Sequence, residues 1–404
     1  MDEPPPPDED SRTRRLVLLY GFAGFASSLA SRTLDPVLPE LAAEFAVTVE
    51  AVALVASAFA LPYALIQPIL GPVGDGLGKR RVILVATALT ALLLFACALA
   101  PGVVSLFVAR ALAGAAAGGI FPLTIATFGD EVPIARRQVA LSRVLALSIA
   151  GQIAGGVISG AVSDDVGWRA VQAAGATIQL VAALVLWRDL RARPDAPPGR
   201  VDVAGSLRRY AEIARIPQAR RLWAAVAAEG VLVFGLFPYV AALVARWGFG
   251  GAPQAGLALS AFGVAGIAYA ALSAVLLRRL GLTRMLRLAG ILGLAGMLGV
   301  AATGWLGAGH PWGIGGVVGG MLVLGLGYFA MHNSIQTGIT DVAPHARGSA
   351  VAVHAFCFFL GQSIGPAVFG AGLAGVGAPL TLAAMGVAML GLGLGLSRTI
   401  LPRG

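Results

Sequence analysis

The sequence predicts an all-α membrane protein of twelve transmembrane helices, folded as two pseudo-symmetric six-helix bundles. Three observations carry that reading. Of 404 residues, 57% are hydrophobic and only 12% charged, about half the roughly 25% charge of a soluble domain, so most of the outer surface has to face lipid. The apolar residues fall into twelve runs, each near the about 20 residues that take a helix across ~30 Å of hydrocarbon. Polar and glycine positions of the first half recur in the second at a nearly constant offset.

In chain order, residues 1–15 read as a disordered cytosolic tail. They hold Pro4 to Pro7 in a row, turn from acidic to basic, and lack the apolar core of a secretory signal. The first bundle takes residues 16–187, with runs starting near Leu16, Val52, Val82, Val103, Ala140 and Ala170. Residues 188–221 form a polar cytosolic linker with Pro194, Pro197 and Pro198, and a helical piece is expected from Val203 to Ile216. The second bundle takes residues 222–397, with runs starting near Leu222, Ala255, Met285, Gly316, Ala350 and Ala378. Residues 398–404 are a second cytosolic tail.

Charge placement sets the orientation. With the N-terminus inside, 25 of the 29 Lys and Arg residues fall in cytosolic segments. The outer loops hold only Arg32, Arg169 and Arg246, and Arg110 lies within a run. Such an asymmetry puts both termini in the cytosol. The net charge of +9 therefore reads as a topology signal spread over short loops, and no nucleic-acid partner is expected. Cys97 and Cys357 sit in separate apolar runs and read as packing residues, neither a disulfide nor a metal site.

The repeat is most specific where it is polar. Ser57-Ala58-Phe59 recurs as Ser260-Ala261-Phe262, Leu77-Gly78 as Leu280-Gly281, and Arg81 as Arg284. Asp130, Pro133 and Arg136 recur as Asp341, Pro344 and Arg347. Gly151-Gln152, Gly155 and Gly160 recur as Gly361-Gln362, Gly365 and Gly370. Two six-helix halves related by an axis along the membrane normal are a known transporter plan.

Few ionisable groups lie deep in the runs. Arg110 and Glu229 each cost roughly 2.5–3.5 kcal/mol at a helix centre, so both should face the interior or a wet cavity. A proton held on Glu229 and displaced by substrate or cation is a workable coupling step; a tether between helices is the other reading. Arg110 is either a fixed cation near a titrating carboxylate or a packing arginine bonded to carbonyls. Asp35, at the outer end of the first run, reads as interfacial. In the tenth run His332, Asn333 and Gln336 lie three and four apart on one helix face beside Tyr328 and should line a substrate cavity. Tyr63, Gln67 and Tyr239 are further cavity candidates. Gln152, Gln179, Gln362 and His354 are lesser ones, because lone polar residues often bond helix to helix. Tyr20, Phe25, Phe237 and Tyr269 either wall the cavity or pack elsewhere.

Between the second and third runs stands Gly71-Pro72-Val73-Gly74-Asp75-Gly76-Leu77-Gly78-Lys79-Arg80-Arg81. Gly71 and Gly74 would admit a neighbouring helix, Gly76 and Gly78 a tight reversal, and the basic trio would hold the loop inside. This segment resembles the G-x-x-x-D-R-x-G-x-R-R loop of the major facilitator superfamily, with Gly76 where a basic residue is usual. Arg110 with Gly114 and Gly118, Gly167-Trp168-Arg169, and the stretch from Arg32 to Pro39 are similar to other segments of that family, in its drug:proton antiporter branch. The glycines of the fifth run resemble the family's antiporter motif, with Gly156 in place of proline. The resemblance implies that Asp75 faces the start of the eleventh run near Gly348 and that Lys79 bridges to Asp130. It implies a conformational latch on the cytosolic side made of Gly71, Asp75, Gly78, Lys79, Arg80 and Asp130. It also implies a role for Arg110 in proton coupling.

The expected function is therefore secondary transport by alternating access: proton-coupled export of a small amphipathic organic molecule from a monomer in a bacterial inner membrane. Uptake of a small metabolite by symport or uniport is the alternative within transport. A polytopic enzyme or a non-transporting sensor are the alternatives outside it. The sequence carries no H-E-x-x-H, Walker loop or catalytic triad at one depth, so neither catalysis nor a cofactor is expected. Small-molecule substrate, protons and the bilayer are the expected partners.

Overall fold

The computed structural model describes residues 7–193, 201–306, 310–342 and 347–399. Among them the fold is all helical, with no strand. That follows from the composition: in an apolar medium each backbone N–H and C=O needs an internal partner, and an unbroken helix supplies both.

The chain opens with α1 (Pro7–Arg32), followed by a 3-10 turn at Asp35–Val37 and α2 (Leu38–Glu44). Residues 7–15, expected as disordered tail, belong to α1; residues 1–6 lie outside the described residues. Then come α3 (Val49–Ser57), α4 (Ala60–Leu77), α5 (Lys79–Ala98), α6 (Val103–Ala117), α7 (Ile120–Glu131) and the long α8 (Ile134–Ala192). The linker contributes α9 (Val203–Ala214), within the expected helical piece, while Pro194, Pro197 and Pro198 fall outside the described residues. The rest of the chain forms α10 (Pro217–Phe234), a 3-10 turn at Phe237–Tyr239, α11 (Val240–Arg246), α12 (Ala252–Thr303), α13 (Gly313–Val342), α14 (Arg347–Val376) and α15 (Ala378–Thr399). Ten stretches among the described residues are long and apolar enough to cross a membrane, one of them the 50-residue Arg143–Ala192.

Two helices that run on in name are folded back at one glycine each. Gly167 in α8 has φ 79° and Gly281 in α12 has φ 68°. Gly78, between α4 and α5, and Gly377, between α14 and α15, have φ 96° and 80°. A single left-handed residue breaks the helix at each reversal, a conformation only glycine adopts without a Cβ clash. Gly76, expected to share the reversal, is instead inside α4 and buried, since one left-handed residue is enough to end the helix.

The two halves also match where their first helices end. In the first half α1 gives way to Asp35-Pro36-Val37 and α2; in the second α10 gives way to Phe237-Pro238-Tyr239 and α11. Each proline lacks the N–H that would continue the helix. These positions stand 202 residues apart, and the two turns touch.

Packing runs within and between halves. α1 lies on α8, α5 on α6 and α8, α10 on α14, and α12 on α13 and α15. Glycine lets backbones meet in two of these contacts: a Cβ at Gly151 or Gly155 would meet the carbonyls of Phe25 and Leu29 on α1, and one at Gly361 the carbonyl of Ala227 on α10. Across the halves, α4 meets α14 and α8 meets α12. There Gly256 approaches Gly156 and Gly160, with Gly160 Cα 3.3 Å from a Cβ built at Gly256, a backbone approach typical of small residues spaced four apart.

Candidate functional site

The two proline turns bring the ends of α1 and α10 together over a cavity of about 180 Å³. Its walls come from both halves. Phe59 and Tyr63 of the first half and Phe358 and Phe359 of α14 line it, and Tyr63 and Phe359 have ring centroids 4.3 Å apart. Phe234, Phe237, Phe262 and Tyr328 close the other side as a run of edge-to-face and tilted ring contacts. Packing aromatic rings against one another in these geometries gives a rigid apolar wall.

Two charged groups stand in that wall, and sequence reasoning misplaced both. Asp35, expected at the interface, is only 3% exposed and lines the cavity. Arg32, expected in an outer loop, lines it too, with its Nη1 3.4 Å from Asp35 Oδ2. Its guanidinium carbon lies 4.8 Å from the centroid of the Phe234 ring and 5.0 Å from that of Phe237. The signal was the helix-breaking proline after Asp35: α1 stops inside the protein, so its last residues point inward.

Glu229 of α10 is wholly buried, and its Oε2 lies 2.8 Å from His332 Nδ1 on α13. His332 stacks behind Tyr328 and Phe358, at centroid distances of 5.3 and 4.8 Å, so the pair sits behind the aromatic wall rather than in it. His354 of α14 is 5.5 Å from His332 between ring centroids, and neither of its nitrogens has a partner among the described residues.

The other expected cavity residues divide. Tyr63 lines the cavity; Gln67, one turn along α4, is buried with its Oε1 unpartnered among the described residues. Asn333 donates to the Phe329 carbonyl of its own helix, and neither it, His332 nor Gln336 lines the cavity. Tyr328 and Phe329, one turn earlier on the same face of α13, line it instead. Tyr239 donates to the Pro366 carbonyl and packs on Phe369 outside the cavity. Of the lesser candidates, Gln152 and Gln362 line it, whereas Gln179 and His354 do not. Phe237 joins the wall; Tyr20, Phe25 and Tyr269 are elsewhere.

Arg110 has the geometry of a packing arginine. Its two Nη groups donate to the Ala30 and Ser31 carbonyls at 3.0 Å each, capping the C-terminus of α1, where a cation is favoured. It does not approach Glu229, which belongs to the other half.

At the start of α5, Lys79 Nζ lies 2.6 Å from Asp130 and 3.0 Å from Asp75. All three belong to the first half, so this ion pair does not itself join the halves. The helix start that Asp75 was expected to face adjoins residues 343–346, outside the described residues. Gly71 has open space where a Cβ would stand, against the expected close approach; Gly74 instead meets Leu123. Arg80 pairs with the buried Asp189, which also takes Arg15, a three-residue cluster that sequence reasoning did not single out.

The major facilitator superfamily profile matches residues 20–366. Among curated proteins, the chain is 26% identical over 188 residues to a multidrug export protein EmrB of Haemophilus influenzae, covering 46% of this chain and 37% of that one. It is 30% identical over 154 residues to the MFS-type transporter TOXA of Cochliobolus carbonum, covering 38% and 28%. It is 24% identical over 191 residues to a fatty acid resistance protein FarB of Neisseria gonorrhoeae, covering 47% and 38%. In each case the match spans less than two fifths of the relative's length.

Proposed function

This chain belongs to the major facilitator superfamily, and on that premise we propose that it is a secondary active transporter exporting a small amphipathic organic molecule in exchange for protons. The observation that carries the reading is the aromatic cavity walled by both halves of the chain. A site shared between two bodies can be exposed to either side by rocking one body on the other, which is alternating access. Twelve crossings serve this reading: α1 adds one to the ten apolar stretches, and the fold at Gly167 divides the longest into two. Both termini then lie in the cytosol of a bacterial cell.

The Glu229–His332 pair is the proton site in this scheme. A buried carboxyl bonded to an imidazole across two helices changes its fit to the pair when a proton arrives or leaves. Tyr328 and Phe358 link that change to the cavity, since they touch His332 on one face and line the cavity on the other. The relatives named for multidrug export and fatty acid resistance support export of an apolar-bodied substrate.

The test is dye efflux in everted membrane vesicles under an imposed pH gradient, comparing wild type with Glu229→Gln. Wild type should move dye only with the gradient present, and the variant should insert normally yet lose the dependence. Gradient-independent movement in wild type, or an unchanged Glu229→Gln, would remove proton coupling through Glu229.

A further inference from the structure

Resting on the transport reading above, we infer that the cavity selects organic anions, binding the carboxylate of a small apolar-bodied acid on Arg32.

Three features of the cavity lead there. First, Arg32 is underused. Among the described residues its one side-chain hydrogen bond is the 3.4 Å contact to Asp35, long beside the ~2.7–2.9 Å of a charge-assisted bond. Arg110, a few residues away in space, shows the contrast: both its Nη groups bond protein carbonyls at 3.0 Å. Arg32 is thus a guanidinium with most of its five donors unspent, standing in the cavity wall.

Second, Arg32 is held in one attitude. The rings of Phe234 and Phe237 lie within about 5 Å of its guanidinium carbon, which favours the cation electrostatically. They also limit the rotation of a flexible side chain. A planar fork fixed in place is the geometry that grips a carboxylate through two parallel bonds, and it loses little further freedom in doing so.

Third, Asp35 does not use the guanidinium up. It is the one acidic side chain among the described residues that lines the cavity, and Glu229 is bonded to His332 behind the wall. A substrate carboxylate can reach the Arg32 donors that Asp35 leaves free, whereas an organic cation meets the like charge of Arg32. The remaining wall is aromatic, suited to a ring or a short chain. A cavity of about 180 Å³ is slightly larger than the ~150 Å³ engineered cavity that takes benzene, so it fits one ring with a carboxylate.

The experiment compares three compounds of one shape and different charge. Benzoate, benzamide and benzylamine are titrated into the purified full-length protein in detergent by calorimetry. Benzoate should bind at least tenfold tighter than benzamide, the weight of a charge-assisted hydrogen bond, and benzylamine weakest. Arg32→Gln should bring benzoate down to the level of benzamide, and Arg32→Lys, which keeps the charge without the fork, should fall between. Equal binding of the three by wild type, a preference for benzylamine, or no binding of any overturns the inference, and this arm needs no variant. The vesicle assay keeps the two readings apart. Proton-coupled dye export without benzoate preference sinks the anion site alone, while Arg32-dependent benzoate binding without export sinks the transport reading alone.

Discussion

Arg32 and Phe234 hold equivalent places in the two halves, each three residues before its half's 3-10 turn, and the guanidinium carbon of one lies 4.8 Å from the ring centroid of the other. The pseudo-symmetry thus sets unlike residues face to face, a cation against the ring that it stacks on. Replacing Phe234 by Leu removes the ring face with little loss of apolar bulk. A double-mutant cycle with Arg32→Gln, read by thermal unfolding in detergent, should return a coupling of about 0.5–2 kcal/mol. Strict additivity would show that the stacking contributes nothing.

The 2.8 Å contact between Glu229 and His332 ties α10 to α13. Glu229→Leu or His332→Leu alone leaves a buried polar group without its partner, at about 1–3 kcal/mol. The double Leu variant should recover part of that loss, because it removes both groups. Equal losses added together in the double variant would mean that the two side chains do not act as a pair.

Glycine substitutions should divide by backbone angle. Gly167→Ala and Gly281→Ala place a Cβ on residues with φ of 79° and 68°, at about 1–2 kcal/mol each. Gly71→Ala adds a methyl where nothing lies within 4 Å, inside a helix, and should be neutral or gain up to about 1 kcal/mol. Thermal melting of the three variants checks the order, and a destabilised Gly71→Ala would point to a close approach at that residue.

Acid should loosen the end of the molecule where Glu44, the last residue of α2, holds Trp168 and Arg169. Glu44 accepts from Trp168 Nε1 at 2.6 Å and pairs with Arg169, which also donates to the Ala100 carbonyl. Burial works to raise the Glu44 carboxyl, but those bonds outweigh it and hold it below its ordinary 4.5. A lowered folded value means that the contribution is complete above pH 4.5 and is lost as pH falls through the lower folded value. Melting temperatures of wild type and Glu44→Gln should therefore differ at neutral pH and converge in acid. A gap that persists under acid conditions would assign the stabilisation to something other than the ionised carboxylate.

Much of the fold was legible because membrane helices are written in local sequence. Runs of about 20 apolar residues announced the helices, and the repeat of Leu77-Gly78 as Leu280-Gly281 marked a reversal that the structure shows in both halves as a left-handed glycine. The equivalent pair Gly167 and Gly377 lies just before the runs expected from Ala170 and Ala378, and Val166-Gly167 repeats as Val376-Gly377, a match that the sequence reading leaves out. At the site, Tyr63 was legible as a cavity residue and Glu229 as a buried charge. The α13 polar residues were not: His332, Asn333 and Gln336 share a helix face with Tyr328 and Phe329, yet the cavity meets that face one turn earlier, at Tyr328 and Phe329.

The sequence by itself determined that the chain is helical, apolar and duplicated, because those properties follow from hydrogen bonding and hydropathy within each segment. Only the tertiary structure decided that Arg32 and Asp35 turn inward, that Arg110 serves α1, and that Glu229 meets His332 across 103 residues of chain. The reason is rotational. Hydropathy places a helix in the bilayer but leaves its turn about its own axis free, and that turn is set by which glycines and rings of its neighbours it packs against.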